Sequence, residues 1–413
     1  MFVKSALMAT GAAAISRNLL AANSPAISRI TILEVPGEFS RPVAMNAYDT
    51  RPVGKSGHIR LVRVFLSDGT MGLGVEGYVP IRDSGLAFLK QMIGVRPETV
   101  FLWQGDRIAG YAPDYKSLLQ DEHNCWFEMA LLDLVGKIRG KPVYALFGEP
   151  VRERIDAYDG SLYFVDVAGG RGAEAVGEVA KEIRGDGYRG LKIKVGRPWK
   201  WMPGEAGVAR DIEVVIAARE AIGANMNLMA DANNGYQDHH DWAVRFLKES
   251  SPYGLGWIEE IFPETLEDYR WLHHQLQELN ADTPVADGES VRNMDDFAPF
   301  LHAGLYRYIQ PDMRTCGFSK VLDAAALADP WRVNVVAHNW MSELGKIACL
   351  HAAKIRRNIP LIEDDRYQDV ALDTSAYMFR DGQWIVPEKP GWGVDLSPNY
   401  DVLLRDGAEI VIT

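Results

Sequence analysis

Two lysines separated by one residue, Lys192 and Lys194, lie in a short apolar run near the middle of the chain. Alternate residues of a strand point to the same face, so both ammonium groups would share one side. The residues around them, Leu191, Ile193 and Val195, would cover the opposite, packed face. A solvated pair is the usual interpretation of Lys-x-Lys, but these neighbours favour two inward lysines. Burial and a nearby cation would lower a lysine pKa and allow it to act as a base.

Three carboxylates follow at the ends of later apolar runs, at Asp231, Glu259 and Glu289. If the runs are consecutive parallel strands, the three side chains surround one point at the carboxyl edge of the sheet. Carboxylates so close repel one another unless a cation neutralises them, and hard oxygen ligands suit Mg2+ better than zinc. Any one of them could cap a helix or face solvent, but three in register favour a metal site.

A histidine and an aspartate end two further runs of the same kind. His338 follows the apolar residues 333–337, and Asp312 ends the run before it. A contact between them across neighbouring strands would orient the imidazole ring and raise its basicity. A lone histidine at a strand end is more often structural, but opposite a lysine pair and three carboxylates we predict a catalytic role.

These residues need a frame of parallel strands. From residue 155 onward, β-rich runs alternate with runs of helical period, which predicts an α/β fold with a (β/α)8 barrel over residues 151–374. The predicted strands are 155–158, 190–195, 227–231, 255–259, 284–287, 306–310, 333–338 and 360–363, and the predicted helices include 173–184, 208–221, 240–249, 266–279, 318–328 and 343–356.

An α+β capping domain is predicted over residues 26–150, with residues 375–413 returning to it. Strands with a turn are predicted from Ile30 to Glu76; the glycines near the end of this region indicate a hairpin, because no helix follows them at the dinucleotide-binding spacing. Several helices are predicted from Gly85 to Ile138, and the breaker residues Gly140-Lys141-Pro142 end the last one.

The composition is that of an ordinary globular protein. The 413 residues are 47% hydrophobic and 24% charged, which suits a barrel plus a second domain. A formal net charge of -12 without a basic stripe disfavours nucleic acid or a membrane surface as a partner. The three cysteines, Cys125, Cys316 and Cys349, show no pairing pattern and are predicted to be free, buried thiols.

Residues 1–25 are predicted to be an export signal or an irregular tail. Phe2-Val3-Lys4 precedes a small apolar run that is too short to span a membrane and resembles the core of a twin-arginine signal, although the arginine pair is missing. If this segment is a truncated signal, the protein is periplasmic, and otherwise it is cytoplasmic.

The ordered set of motifs resembles the mandelate racemase group of the enolase superfamily over most of the chain from about Ile30. Residues 132–148 are similar to the segment that joins the family's capping domain to its barrel. The chain departs from the family pattern at Ile261-Phe262-Pro263 and at the single glycine of Arg314-Thr315-Cys316-Gly317. The motifs that match in order are Lys192-Ile193-Lys194, Asp231-Ala232-Asn233, Trp257-Ile258-Glu259-Glu260, Gly288-Glu289, Gln310-Pro311-Asp312 and His338.

The resemblance implies a role for each of these residues. Asp231, Glu259 and Glu289 would bind Mg2+. Lys194 would be a base on one face of the substrate, and His338, paired with Asp312, would serve the other face. The resemblance also implies contacts of Lys192 with the substrate carboxylate, of Asn233 with the substrate and of Glu363 with the developing enediolate. Arg314 and Trp340, near the predicted mouth of the barrel, and Tyr48, in the capping domain, are predicted to bind other parts of the substrate.

The capping-domain loop from Gly37 to His58 is predicted to set specificity, because Arg41, Arg51 and Lys55 could reach sugar hydroxyls or a distal carboxylate together with Tyr48.

The implied chemistry is removal of the α-proton from a hydroxy or sugar acid, with Mg2+ and hydrogen bonds stabilising the resulting dianion. We favour an acid sugar dehydratase, a hydro-lyase that forms a 2-keto-3-deoxy acid with acid help from His338. A racemase or epimerase needs the same residues, and a non-catalytic sugar-acid binding protein is a third interpretation. A lactonising enzyme is disfavoured, since the His-Asp pair would have no task. The resemblance also implies a homo-oligomer.

Overall fold

The computed structural model of the protein describes residues 24–78, 81, 83–406 and 409–413. The predicted export signal therefore lies almost wholly outside the described residues and stays a prediction. Within the described part of the chain, no helix is long and apolar enough to cross a membrane.

An antiparallel sheet comes first in the described chain. Its strands β1 (Ile27–Val43), β2 (Gly54–Leu66) and β3 (Met71–Val75) pair in sequence order, which confirms the predicted strands and hairpin. The predicted specificity loop was too long, because residues 37–43 and 54–58 belong to these strands and only residues 44–53 connect them.

Three helices and a hairpin follow the first sheet. Gly140, at φ 62°, ends the last helix by donating its N–H to the carbonyls of Gly136 and Lys137, as predicted. The hairpin was not predicted, because its aromatic residues were assigned to the helical region. These elements are α1 (Asp83–Met92), β4 (Phe101–Gln104), β5 (Arg107–Tyr111), α2 (Pro113–Gln120) and α3 (Glu128–Arg139).

All eight predicted parallel strands are present among the described residues, most of them as short, buried apolar runs. Each is followed by helical or loop segments, and the α/β class with a parallel sheet is confirmed. The strands are β6 (Arg154–Leu162), β7 (Gly190–Lys194), β8 (Asn227–Asp231), β9 (Leu255–Glu259), β10 (Val285–Asp287), β11 (Tyr308–Ile309), β12 (Asn334–Val335) and β13 (Leu361–Asp364).

The helices between these strands have amphipathic or fully apolar faces that pack on the sheet. The six predicted helices agree with the structure to within about one turn, and two short helices, α8 and α9, were not predicted. The helices are α4 (Glu174–Gly185), α5 (Glu205–Ile222), α6 (His240–Ser250), α7 (Leu266–Glu278), α8 (Ala298–His302), α9 (Met313–Cys316), α10 (Phe318–Ala328) and α11 (Glu343–Ile355).

The parallel strands pair in the order β12-β11-β10-β9-β8-β7-β6-β13. Among the described residues, β12 and β13 share no ladder, but the N–H of Val335 donates to the carbonyl of Asn358 over 2.7 Å just before β13. A separate buried cluster fills the space between strands, made of Tyr158, Met229, Trp257, Ala286 and Val336. The polar site lies beyond this cluster, at the carboxyl ends of the strands.

After β13 the chain returns to the first sheet. β14 (Tyr367–Asp369) pairs with β1, and so does the last described strand. Between β14 and the last strand, the chain forms a hairpin that pairs with β6 of the parallel sheet. The C-terminal tail therefore contributes strands to both sheets. The division into domains at residues 150 and 375 stays a prediction. The tail elements are β15 (Leu372–Asp373), β16 (Met378–Arg380), β17 (Gln383–Ile385), β18 (Asp395–Leu396), α12 (Tyr400–Asp406) and β19 (Ile410–Ile412).

Candidate active site

The two lysines of β7 point to the same side of the strand, as predicted, and both are buried. Nζ of Lys192 lies 2.7 Å from Oε1 of Glu259, 2.8 Å from Oε1 of Glu363 and 3.4 Å from Oδ2 of Asp231. Lys194 donates to the same oxygen of Asp231. The pair therefore connects the ends of β7, β8, β9 and β13.

The charges around the lysine pair raise both lysine pKa values, whereas the prediction was that burial and a nearby cation would lower them. Burial lowers the pKa of Lys194, but the carboxylate of Asp231 beside it outweighs burial and holds the pKa above its usual value. Burial likewise lowers the pKa of Lys192, and the carboxylates of Glu259 and Glu363 outweigh it. Both lysines are therefore charged in this structure and act as counterions to the carboxylates.

Each of the three predicted metal ligands has a cationic neighbour. Asp231 pairs with Lys194 and accepts the backbone N–H of Asn233, while Glu259 pairs with Lys192. Glu289 is only half-buried, and its Oε2 lies 3.2 Å from Nε2 of His338. Among the described residues, no group of three or more His, Cys, Asp or Glu side chains is placed to hold a metal ion together.

The chemistry of the donor set nevertheless suits a hard cation. Burial is the main reason why the pKa of Glu259 is raised to about 7. The ammonium of Lys192 lowers this pKa, and the negative charges of Asp231 and Glu363 raise it. A concentration of carboxylates on this scale is stabilised by positive charge. Oδ1 of Asn233 is also buried without a hydrogen-bond partner, so one further oxygen is available beside Asp231. These oxygens are ligands that Mg2+ prefers.

His338 and Asp312 form the predicted contact across the ends of the sixth and seventh parallel strands. Nδ1 of His338 lies 2.5 Å from Oδ2 of Asp312, and the two residues form a parallel bridge. Burial by itself lowers the pKa of His338. The negative charges of Glu289 and Asp312 outweigh burial and raise this pKa to about 10. The imidazole therefore carries a proton at neutral pH and can donate it.

Asp312 is itself held by the start of α9. Its Oδ1 accepts the backbone N–H of Thr315 over 2.8 Å and the hydroxyl of Thr315 over 3.0 Å. The aspartate is thus both an N-cap and the partner of the histidine. Its carboxylate has little freedom to turn, which fixes the imidazole ring.

The three adjacent acids after strand eight point in different directions. Glu363 contacts Lys192 and, at 3.3 Å, the backbone N–H of Asn339. Asp364 pairs with Lys346 on the other side of the strand. Asp365 accepts the backbone N–H groups of residues 341 and 367. Of the three, Glu363 is the acid that the structure brings to the lysine pair, in agreement with its predicted place.

The predicted substrate contacts are only partly gathered at this site. Burial raises the pKa of the Tyr48 phenol and the charge of Lys194 opposes this rise, which places the ring within electrostatic reach of Lys194, although 52% of the residue is exposed. Asn233 is buried at the end of β8 and donates to Glu260 over 2.8 Å.

Trp340 and Arg314 serve mainly as packing and bonding residues. The Trp340 ring stacks on Tyr163 with 5.1 Å between centroids and an interplanar angle of 22°. The Arg314 guanidinium donates to the carbonyls of Glu76 and Trp340 over 2.9 and 3.0 Å. Arg314 therefore holds the loop after β3 against the loop after β12, which is a structural task.

The other cationic residues predicted to set specificity are engaged elsewhere. Arg41 donates to Asp159 and Ser161 in β6. Arg51 is exposed beside Asp49, and Lys55 is exposed beside Glu38. The structure does not bring these three side chains to the lysine pair.

Two tyrosines at the site were missed by the sequence analysis. Nζ of Lys194 lies 5.0 Å from the centre of the Tyr163 ring, just after β6. Tyr78, in the loop after β3, donates its hydroxyl to Oδ2 of Asp312 over 3.0 Å. An aromatic residue within three positions of a strand end was the sequence signal for both of them.

The family model described as enolase C-terminal domain-like matches residues 175–400, more than half of the chain. The chain belongs to this family. Its predicted relationship to the mandelate racemase group of the enolase superfamily is confirmed. As predicted, Cys125, Cys316 and Cys349 are buried and free.

Two curated relatives cover most of the chain. D-galactarolactone cycloisomerase of Agrobacterium fabrum is 29% identical over 361 residues, which are 82% of this chain and 88% of that protein. L-rhamnonate dehydratase of Saccharopolyspora erythraea is 29% identical over 359 residues, 83% of this chain and 84% of that protein. Relatives named for dehydratase and cycloisomerase activity support an enzyme.

Two solved structures share the fold over nearly the whole chain. Galacturonate dehydratase from Geobacillus sp., complexed with D-galacturonate and 5-keto-4-deoxy-D-galacturonate, has a TM-score of 0.79 and 26% identity, covering 93% of this chain and 98% of that one. A mandelate racemase/muconate lactonizing protein from Geobacillus sp. Y412MC10, complexed with magnesium/tartrate, has a TM-score of 0.80 and 26% identity, covering 93% and 97%.

Proposed function

We propose that this protein is a Mg2+-dependent dehydratase of sugar acids, a hydro-lyase that yields a 2-keto-3-deoxy acid. One observation carries this proposal. The Lys192–Lys194 pair and the hydrogen-bonded Asp312–His338 pair lie at the same end of the parallel sheet. The similarity to L-rhamnonate dehydratase and galacturonate dehydratase supports the substrate class.

The frame we propose is a closed (β/α)8 barrel with an α+β capping domain. The hydrogen bond between Val335 and Asn358 joins the two strands that share no ladder, and the cluster around Trp257 fills the interior as in a barrel core. The capping domain would comprise residues 26–150 with part of the tail.

Asp231, Glu259 and Glu289 would hold Mg2+, in keeping with the magnesium complex of the similar Geobacillus protein. When bound, Mg2+ supplies positive charge that stabilises the second negative charge formed when a carboxylic acid loses its α-proton. Asn233, with its free amide oxygen, would contribute a further contact to the cation or the substrate.

The chain's own residues would divide the chemistry between two sides. Lys192 would bind the substrate carboxylate, and Glu363 would hydrogen-bond to it as charge develops there. In its neutral form, Lys194 would take the α-proton, and the electron pair of the broken C–H bond would form a C=C bond as the β C–O bond breaks. His338 would give its proton to the leaving hydroxyl, so that water departs. The enol left behind becomes the 2-keto-3-deoxy acid.

Two other activities use the same residues. Reprotonation of the α-carbon on the other face would give a racemase or epimerase. The relationship to D-galactarolactone cycloisomerase favours a second candidate, a cycloisomerase of sugar lactones. A non-catalytic sugar-acid binding protein is the remaining alternative.

The test is a screen of the purified protein with Mg2+ against sugar mono- and diacids and their lactones. Semicarbazide detects 2-keto-3-deoxy products, and NMR in deuterated water detects exchange at the α-carbon. Lys194→Ala and His338→Ala are each expected to lower turnover at least about a hundredfold. The exposed Lys181→Ala and His274→Ala are matched controls that leave turnover unchanged.

Each other result points to one alternative. Turnover of a lactone without loss of water favours the cycloisomerase, and exchange without a keto product favours the epimerase. Binding of an acid without exchange or turnover favours the binding protein and overturns the dehydratase.

A further inference from the structure

Tyr78 joins the first sheet to the Asp312–His338 pair. It lies three residues after β3, yet its hydroxyl donates over 3.0 Å to Oδ2 of Asp312, the same oxygen that contacts Nδ1 of His338. The backbone N–H of Trp340 donates to the Tyr78 oxygen over 3.1 Å. The hydroxyl is therefore bonded to the loops that follow both β11 and β12.

The ring of Tyr78 is also held in place. The guanidinium carbon of Arg314 lies 4.2 Å from the ring centre, which is cation–π geometry. Arg314 also donates to the carbonyl of Glu76, two residues before Tyr78. The carboxylate of Glu76 in turn accepts the backbone N–H of Ile81.

We infer that Tyr78 is a positioning residue for the Asp312–His338 pair. Tyr78, in the loop after β3 of the first sheet, extends the pair into a hydrogen-bonded chain of three residues. The inference rests on the proposed function for its role in turnover. Oδ1 of Asp312 is occupied by Thr315, and Oδ2 is shared by His338 and Tyr78. With both oxygens fixed, the carboxylate holds the imidazole in one orientation.

Loss of the Tyr78 hydroxyl would remove one of two donors from a buried carboxylate oxygen. Hydrogen bonds to a charged acceptor are stronger than neutral ones, so the carboxylate would gain freedom to turn. The imidazole would then sample orientations in which its acidic nitrogen is misplaced. The proton donor would be affected more than substrate binding, because Oδ2 of Asp312 accepts the Tyr78 hydroxyl and contacts the His338 ring.

The first test does not depend on activity. Protein labelled with 15N-histidine is compared by NMR with its Tyr78→Phe variant, after the ring signals of His338 are assigned by their loss in His338→Gln. Tyr78→Phe is expected to shift the His338 ring signals, whereas Tyr115→Phe, in α2, leaves them in place. Unchanged His338 signals in Tyr78→Phe would overturn the inference.

The second test is kinetic and uses the acid found in the screen. Tyr78→Phe is expected to lower kcat about tenfold with KM within about twofold. In an Asp312→Asn background the same change is expected to cost less than about twofold more, because the two residues act as one unit. Effects that multiply would show independent roles and overturn the inference. If the native protein turns over no acid, the dehydratase proposal fails, and the NMR comparison still decides the role of Tyr78.

Discussion

Nζ of Lys192 lies 2.8 Å from Oε1 of Glu363, so the second and eighth parallel strands meet through one buried ion pair. The next residue, Asp364, lies on the other side of the strand and pairs with Lys346 over 3.2 Å. Neighbouring acids therefore have separate tasks, one at the site and one in the packing of α11.

We expect Glu363→Gln to lower kcat at least about tenfold with little loss of stability, because Lys192 keeps Glu259 as a partner at 2.7 Å. Asp364→Asn is the matched variant. It should leave kcat nearly unchanged and lower the free energy of unfolding by about 3 kcal/mol, since it leaves a buried ammonium without its counterion. Steady-state kinetics and urea unfolding measure the two effects. The opposite pattern would place the functional acid at Asp364.

Removal of divalent cations with a chelator is expected to abolish turnover, and added Mg2+ is expected to restore it. Asp231→Asn should weaken Mg2+ binding at least about tenfold, because a carboxylate ligand becomes a neutral amide. Titration calorimetry measures the affinity, and the exposed Glu34→Gln is the control. Turnover that persists without divalent cations would contradict the proposed cofactor.

Arg314 was predicted to bind substrate, but its bonds in the structure are to backbone carbonyls. Arg314→Met should lower the free energy of unfolding by about 2 kcal/mol, because the buried carbonyl of Glu76 and the part-buried carbonyl of Trp340 lose a charged donor. The exposed Arg51→Met should change it by less than about 0.5 kcal/mol. Urea unfolding separates the two variants. A raised KM with unchanged stability would instead support the substrate contact.

His351 should make a destabilising contribution as the pH falls from 7 to 5. This side chain is fully buried, which lowers its pKa to about 3, and its Nδ1 accepts the backbone N–H of Tyr144. Between pH 6.5 and 3 the unfolded chain binds a proton that the folded chain rejects, so stability is lost as the pH falls.

The expected loss from this histidine at pH 5 is about 2 kcal/mol relative to pH 7. Buried acids such as Glu259, whose pKa is raised to about 7, act in the opposite direction, so the variants are compared with the native protein. From pH 7 to pH 5, the stability of His351→Gln relative to the native protein should rise by about this amount, and that of the exposed His274→Gln should not change. Urea unfolding at the two pH values measures the difference. An unchanged pH dependence in His351→Gln would show that other groups cause it.

The parallel part of the fold could be predicted strand by strand from the sequence. Buried parallel strands give short apolar runs that close on a polar residue, as 227–231 and 255–259 do. The same pattern placed Asp312 beside His338. It could not separate the hairpin at 101–111 from helices, because apolar and aromatic residues spaced so closely fit both periods.

The electrostatics of the site could not be predicted in the same way. Whether the pKa of Lys194 rises or falls depends on its distance to Asp231, and strand patterns do not give that distance. The bond from Tyr78 to Asp312 joins residues 234 positions apart and leaves no trace in local spacing. Contacts of this kind arise from the packing of the two sheets.

The pairing of β1 with β19, from Ile30 opposite Ile412 to Ile32 opposite Ile410, has a consequence for biosynthesis. A ribosome makes β1 long before β19, so the edge of β1 that pairs with β19 stays without this partner while the whole parallel sheet is synthesised. Unpaired strand edges attract other chains. A nascent chain that stalls before residue 410 would therefore present this edge to neighbouring polypeptides or to chaperones.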